Sequence, residues 1–255
     1  MRVISLFTGI GAHDLGLRWA GMEIVGQVEI DGYCLDKLET NFPGVKRWGD
    51  ITTVTANYLR RLKPDLITGG FPCQDISTVG RQRGIVDGER SGLWREMWRI
   101  VRDVRPDWVL IENVPALRTK GADSVCSAME AIGYTCRAHV VHAFDAGLDH
   151  SRPRVWIVAY SDRIAKLKPQ VEDVSERARG DSRQDAGELR ALLGKPARPG
   201  IVLNEWEPPR LFKPGMGYQL AGSAEGMALK ALGNCNPPQV TAMLGRAIMR
   251  IHSQI

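Results

Sequence analysis

Short apolar runs alternate with amphipathic segments through the first 160 residues, and this rhythm leaves few architectures open. Strands linked through helices lie parallel, in a sheet covered on both faces. Runs 2–7, 23–29, 65–68, 107–112, 135–141 and 155–160 predict the strands. Segments 12–20, 31–41, 54–62, 91–105 and 121–132 predict the helices, several opening after Gly or Asp and closing before Gly or Pro. The rhythm stops at about residue 161. From 161 to 225 the chain is polar and rich in Gly, Pro and Arg, with Trp206 and Pro208-Pro209 as landmarks, and its eleven basic and ten acidic side chains nearly cancel. So little apolar content leaves such a region dependent on a neighbour or a ligand for order. Helical patterning returns from 225, breaks at Gly233-Asn234-Cys235-Asn236-Pro237-Pro238 and resumes over 238–251. The predicted organisation is one α/β unit, 1–160 plus 226–255, with a small irregular region at 161–225.

Composition excludes several classes. With 255 residues, 44% hydrophobic and 25% charged, the chain has globular values rather than those of a disordered or fibrous one. No stretch has the apolar length of a membrane span, and Arg2–Phe7 reads as a strand rather than a leader, so the expectation is a soluble cytoplasmic protein. Cysteines 34, 73, 126, 136 and 235 include no Cys-x-x-Cys pair, which argues against a disulfide framework and against zinc; no metal is expected. A net charge of +5 permits a nucleic-acid partner. The basic excess lies in 77–105, with seven arginines against four acids. Arg95, Arg99 and Arg102 have the spacing of one helix face and read as solvated. Arg81, Arg83 and Arg90 differ, because their Gly-rich surroundings cannot form a regular helix.

Two ends of a site can be read from residues at strand termini. Phe7-Thr8-Gly9-Ile10-Gly11-Ala12 follows the first strand and opens a helix, where open α/β sheets bind ligands. Asp14 occupies the place of a third fingerprint glycine, which argues against a nicotinamide dinucleotide. Glu29 ends the second strand candidate and could hold ribose hydroxyls or serve as a helix N-terminal acid; Asp50 could hold an adenine amine or cap the next helix. At the other end, Gly69-Gly70-Phe71-Pro72-Cys73-Gln74 follows a strand, placing a thiol where backbone amides lower its pKa. Glu112-Asn113-Val114 closes another apolar strand, so its carboxyl is partly desolvated and able to give a proton. Arg152 and Arg154 precede the last strand as a fork of donors for a carbonyl or phosphate.

In order and spacing, these blocks resemble the DNA cytosine-5 methyltransferase family of bacterial and phage type: Phe7-x-Gly9-x-Gly11, Glu29-x-Asp31, Gly49-Asp50-Ile51, Gly70-Phe71-Pro72-Cys73-Gln74, Arg90-Ser91-Gly92-Leu93, Glu112-Asn113-Val114, Arg152-x-Arg154 and Leu232-Gly233-Asn234. The resemblance covers 1–160 and 228–245 and implies a Rossmann-like methyltransferase fold, a mostly parallel twisted sheet with helices on both faces. It implies that Cys73 attacks carbon 6 of a flipped cytosine while Glu112 holds and protonates the ring, Arg154 holds the base carbonyl and Arg152 supports the site. The cofactor implied is S-adenosylmethionine, lying across Phe7, Gly9, Gly11, Glu29, Ile30, Asp50, Ile51, Pro72 and Leu93 and closed over by Asn234. The segment with Ser77, Arg81, Arg83 and Arg90 would contact double-stranded DNA, with the enzyme working as a monomer, and 161–225 would be a small target-recognition region.

The chain departs from the family pattern at Ala12, where Gly is usual, at His150, where Gln is usual, and at Cys235-Asn236-Pro237-Pro238 in place of Ala-Val and a later Pro. Two other readings stand beside the first. One is methylation of structured RNA, whose branch carries Pro-Pro-Cys where this chain has Phe71-Pro72-Cys73; the other is a non-catalytic DNA-binding relative, which the presence of both Cys73 and Glu112 opposes.

Overall fold

The computed structural model describes residues 1–72, 92–167, 227, 231 and 235–254. Its seven strands are β1 (Arg2–Leu6), β2 (Glu23–Val28), β3 (Lys46–Trp48), β4 (Leu66–Gly69), β5 (Trp108–Asn113), β6 (Tyr134–Val141) and β7 (Arg154–Ser161). They form one sheet in the order β3-β2-β1-β4-β5-β7-β6. The pairings β1–β2, β1–β4, β2–β3 and β4–β5 are parallel, while β7 runs antiparallel to both β5 and β6. The six strands expected from the apolar runs are present. Lys46–Trp48 is an addition: this three-residue edge strand is too short and too basic to stand out from a loop.

The helices are α1 (Ala12–Trp19), α2 (Gly32–Asn41), α3 (Ala56–Arg61), α4 (Gly92–Val104), α5 (Leu117–Lys120), α6 (Ala122–Glu130), α7 (Asp162–Leu167) and α8 (Pro238–His252), with 3-10 turns at Ile51–Thr53 and Ala143–Ala146. Where the sequence predicts one helix over 54–62, the chain makes the 3-10 turn and then α3. On one face of the sheet, α3, α4 and α6 bury Leu59, Trp94, Met97, Ile100, Val125 and Met129 against Ile4, Ile67, Val109 and Ile111. On the other, α1, α2 and α8 bury Leu17, Leu38, Met243, Leu244 and Ile248 against Val3, Leu66, Trp108 and Leu110. This gives the Rossmann-like α/β sandwich expected. Ile164 of α7 is buried in the second layer and Arg163 pairs with Asp107, so the residues just past the last strand also pack on the sheet.

The strand order changes direction between β1 and β4: successive units are laid outward to β2 and β3, then to β4 and β5 on the other side. Loops leaving the carboxyl ends of β1 and β4 therefore connect to opposite sides of the sheet, at the position where such sheets take ligands. Arg99 departs from the solvated-face reading. Besides its pair with Glu96, its Nη2 donates to the carbonyls of Ile51 and Val54 at 3.1 Å, fastening α4 to the turn after β3.

Beneath α1 lies a buried polar relay. Asp14 is fully buried and accepts from Gln27 Nε2 at 2.6 Å; Gln27 Oε1 accepts from Arg47 Nε at 2.9 Å; Arg47 Nη2 reaches the carbonyls of Leu38 and Phe42 at the end of α2. Burial pushes the Asp14 carboxyl up to about 6, against the Gln27 hydrogen bond and the Arg47 charge. Because the folded-state value lies above the ordinary 3.8, the protonated form is the one the fold favours, and stability is lost as pH rises from about 4 to above 6. Asp14→Asn is expected to raise unfolding stability at pH 7.5 by roughly 1–3 kcal/mol and to leave it nearly unchanged at pH 4, measured by urea denaturation. A gain of the same size at both pH values would show that Asp14 ionisation is not the cause.

Candidate active site

One end of the candidate site is built where β1 and β2 finish. Phe7, with φ 54, turns the chain out of β1 while its ring packs on the core of the α4 face. Thr8 N donates to Val28 O at 3.1 Å and its hydroxyl to Ser5 O, tying the loop to β2. Nothing lies within 4 Å of where a Gly9 side chain would stand, whereas Gly11, the N-cap of α1, sits against Phe42 and Leu38. The Glu29 carboxylate accepts three backbone N–H groups, from Gly9 at 2.6 Å onto Oε2 and from Ile30 and Asp31 at 2.9 and 2.8 Å onto Oε1. Beside it Ile30 stands 70% exposed. Asp31 caps α2 by accepting from Cys34 N.

The Asp50 carboxylate accepts from Thr52 N at 2.9 Å, so the helix-capping alternative read from the sequence is realised at one of its oxygens. Ile51 turns its side chain into the core. Pro72 is exposed on the loop after β4, and Leu93, in the first turn of α4, packs on the same core cluster as Phe7. The loops after β1, β2 and β4 are thus neighbours, with Asp50 and Ile51 following the edge strand β3.

The acid end is built by β5 and β7. Glu112 is the penultimate residue of β5 and Arg154 the first of β7; the antiparallel pairing sets Glu112 opposite Trp156 and so brings the start of β7 to the carboxyl edge of the parallel strands. Arg154 Nε lies 3.0 Å from Glu112 Oε1, with side-chain exposures of 17% and 13%. Burial pushes the Glu112 carboxyl up to about 7, although Arg154, Arg152 and the hydrogen bond from Arg154 all pull the other way. Desolvation wins over two cations here, so the carboxyl is half protonated near neutrality. Arg152, at φ 33, sends Nη2 to the carbonyl of Cys235 at 2.6 Å. Burial pushes the Cys235 thiol up to about 11 and that of Cys34 up to about 12, both inert as nucleophiles.

Two residues contribute in ways the sequence does not announce. A side chain on Gly70 would put its Cβ 2.7 Å from Glu112 Oε2, so the second glycine of Gly69-Gly70 makes room for the carboxyl. Buried Asn113 donates Nδ2 to Phe71 O at 3.0 Å and accepts from Val114 N at 2.9 Å, holding the chain two residues before Cys73 against the end of β5. The signal was the Glu-Asn-Val block itself, but a side chain bonded to a distant carbonyl leaves no spacing to read. Cys73, Ser77, Arg81, Arg83, Arg90 and Asn234 lie outside the described residues. Gly70→Ala is expected to cost roughly 1 kcal/mol, since the carboxyl can swing off Arg154, and most of that cost should disappear in a Glu112→Ala background. Additive costs in the urea-unfolding cycle would show that the two positions do not meet.

The sequence model of the family described as C-5 cytosine-specific DNA methylase matches residues 1–206. The chain is 40% identical over 168 residues to the type II methyltransferase M2.BsuMI of Bacillus subtilis (strain 168), covering 62% of this chain and 42% of that one. It is 35% identical over 168 residues to the type II methyltransferase M.HhaI of Haemophilus parahaemolyticus, covering 64% and 50%. The chain thus spans half or less of the length of these relatives. Among solved structures, the Dnmt2 methyltransferase of S. pombe shares the fold with a TM-score of 0.64 over 100% of this chain and 99% of that one, at 16% identity. With four-fifths of its length inside the matched region, and with Glu112, Arg152 and Arg154 drawn to one edge of the sheet, this chain belongs to the C-5 cytosine-specific DNA methylase family.

Proposed function

We propose that the chain transfers the methyl group of S-adenosylmethionine to carbon 5 of a cytosine flipped out of double-stranded DNA. The observation that carries this reading is the largely desolvated Glu112–Arg154 pair at the end of β5, beside the β4 loop that leads into Cys73. A carboxyl poised near pH 7 can bind a base edge in either protonation state and give a proton as charge develops on the ring.

The nucleotide end suits the methyl donor. Gly9 leaves open space for backbone approach, and exposed Ile30 offers an apolar surface for an adenine. Among the described residues Glu29 Oε2 accepts one backbone N–H, which leaves a lone pair for a ribose hydroxyl. Asn236, 3% exposed, has neither amide group paired among the described residues. Phe7, Gly9, Gly11, Glu29, Ile30, Asp50, Ile51, Pro72, Leu93 and Asn234 would hold the donor, Ile51 by its backbone because its side chain is in the core. The donor, when bound, supplies a sulfonium methyl group for attack by an electron-rich carbon.

In this reading the Cys73 thiolate adds to carbon 6 of the cytosine, raising electron density at carbon 5. Glu112 holds ring nitrogen 3 and the exocyclic amine and gives its proton to the ring, Arg154 holds the carbonyl oxygen, and Arg152 supports both. Loss of the carbon 5 proton to water then expels Cys73. Ser77, Arg81, Arg83 and Arg90 contact the duplex, 161–225 reads the target, and the enzyme acts as a monomer in a bacterial or phage-infected cytosol, in modification paired with restriction. Among the described residues no helix is long and apolar enough to cross a membrane, and no cluster could hold a metal.

The test is incubation of the protein with labelled S-adenosylmethionine and either mixed-sequence duplex DNA or tRNA. Label in 5-methylcytosine of the DNA alone is expected; label in tRNA alone would transfer the reading to RNA, and none in either would reject it. Cys73→Ser should lower turnover by at least about 1000-fold while donor binding persists. Because the raised Glu112 value means the acid form is lost as pH passes 7, turnover should fall by roughly tenfold per pH unit above about 8 if ring protonation limits the rate.

A further inference from the structure

Arg152 joins two parts of the molecule, the acid end of the site and the segment that leads into α8. Its φ of 33 is a conformation that side chains rarely adopt, so its direction is imposed by the surroundings rather than by local preference. The guanidinium lies within electrostatic reach of Glu112 and donates Nη2 to the Cys235 carbonyl at 2.6 Å. The Cys235 thiol lies within electrostatic reach of Arg152 and Glu112 and also of Cys34, whose N–H is bonded by the Asp31 carboxylate. The residues after it leave little slack. Asn236 is buried, Pro237 and Pro238 open α8, and α8 is pressed on α1, where the Pro238 carbonyl approaches Gly16 too closely for any side chain there.

Resting on the methyl-donor reading above, we propose that Arg152 is a positioning residue for the donor: its bond to the Cys235 carbonyl holds the 235–237 segment at the nucleotide end. The same guanidinium lies within electrostatic reach of Glu112. Arg154, bonded to Glu112 Oε1 and to the Pro153 carbonyl, has no such bond to the C-terminal segment among the described residues. The two arginines of one Arg-x-Arg block thus divide the work, Arg154 toward the base and Arg152 toward the donor.

The experiment compares binding of S-adenosylhomocysteine by calorimetry to the wild-type chain, Arg152→Gln, Arg152→Lys and Arg154→Gln, each checked by thermal melt, with kcat and KM for the donor. Loss of a charged hydrogen bond to the carbonyl should weaken binding roughly tenfold in Arg152→Gln. Arg152→Lys, whose ammonium can donate to the same carbonyl, should stay within about threefold of wild type, and Arg154→Gln within about twofold. Wild-type affinity in Arg152→Gln, or equal losses at both arginines, would overturn the proposal. If Arg152→Gln does not fold, Arg152→Met, which keeps the apolar stem and removes every donor, decides: a donor KM raised roughly tenfold with kcat kept supports it, and a lowered kcat with KM kept overturns it. Failure of the wild type itself to bind S-adenosylhomocysteine would instead bring down the methyl-donor reading on which the proposal stands.

Discussion

The site depends on one reversal of direction. Were β7 parallel to β5, its eight residues would carry Arg154 to the far edge of the sheet, roughly 25 Å from Glu112. Running antiparallel, β7 begins where β5 ends, and the arginines that precede and open it arrive beside the carboxyl. The ion pair that results is not a simple stabiliser. Its members are largely withdrawn from water, and the cost of that withdrawal exceeds what Arg154 and Arg152 return, since the Glu112 carboxyl remains well above its ordinary value. The energy invested in burying the pair appears as a carboxyl that can still take up and release a proton beside permanent positive charge.

Around this pair, the loop ends are held by side chains from neighbouring strands. Glu29, leaving β2, gathers the amide of Gly9 from the loop after β1; Asn113, ending β5, holds the Phe71 carbonyl of the loop after β4; Arg99 on α4 holds two carbonyls after β3. Each bond spans adjacent strands or packed elements at the carboxyl edge. A ligand binding at the β1/β4 switch point therefore meets backbone already fixed in place, so less binding energy is lost to ordering loops.

Much of this was legible because it follows from local chemistry. Apolar runs marked six strands, and Glu112 at the end of an apolar run announced its own desolvation. Strand direction was not legible, because an apolar run reads the same both ways and the period of two carries no arrow. Nor was Lys46–Trp48, an edge strand whose two cations look like loop. Gly70 illustrates the limit: sequence logic assigns it to the backbone around Cys73, whereas the atom that needs its missing side chain belongs to Glu112, 42 positions away in the chain and one strand over. Asp14 reads as a missing glycine and proves to be a buried acid in a relay to Arg47. In both cases the deciding partner is remote in sequence, which spacing alone cannot reveal.

Where the C-terminal segment departs from the family pattern, the chain is stiff. Pro237, in an extended conformation with ψ 128, serves as the N-cap of α8, and Pro238 takes the first helical position, where its missing N–H removes no intrahelical bond. Two rigid residues thus deliver the chain into a helix clamped against α1. The Cys235 carbonyl, three residues upstream of that fixed start, has little freedom left, and one guanidinium suffices to hold it. Rigidity from the two prolines and the bond from Arg152 together fix the segment on which Cys235 and Asn236 lie.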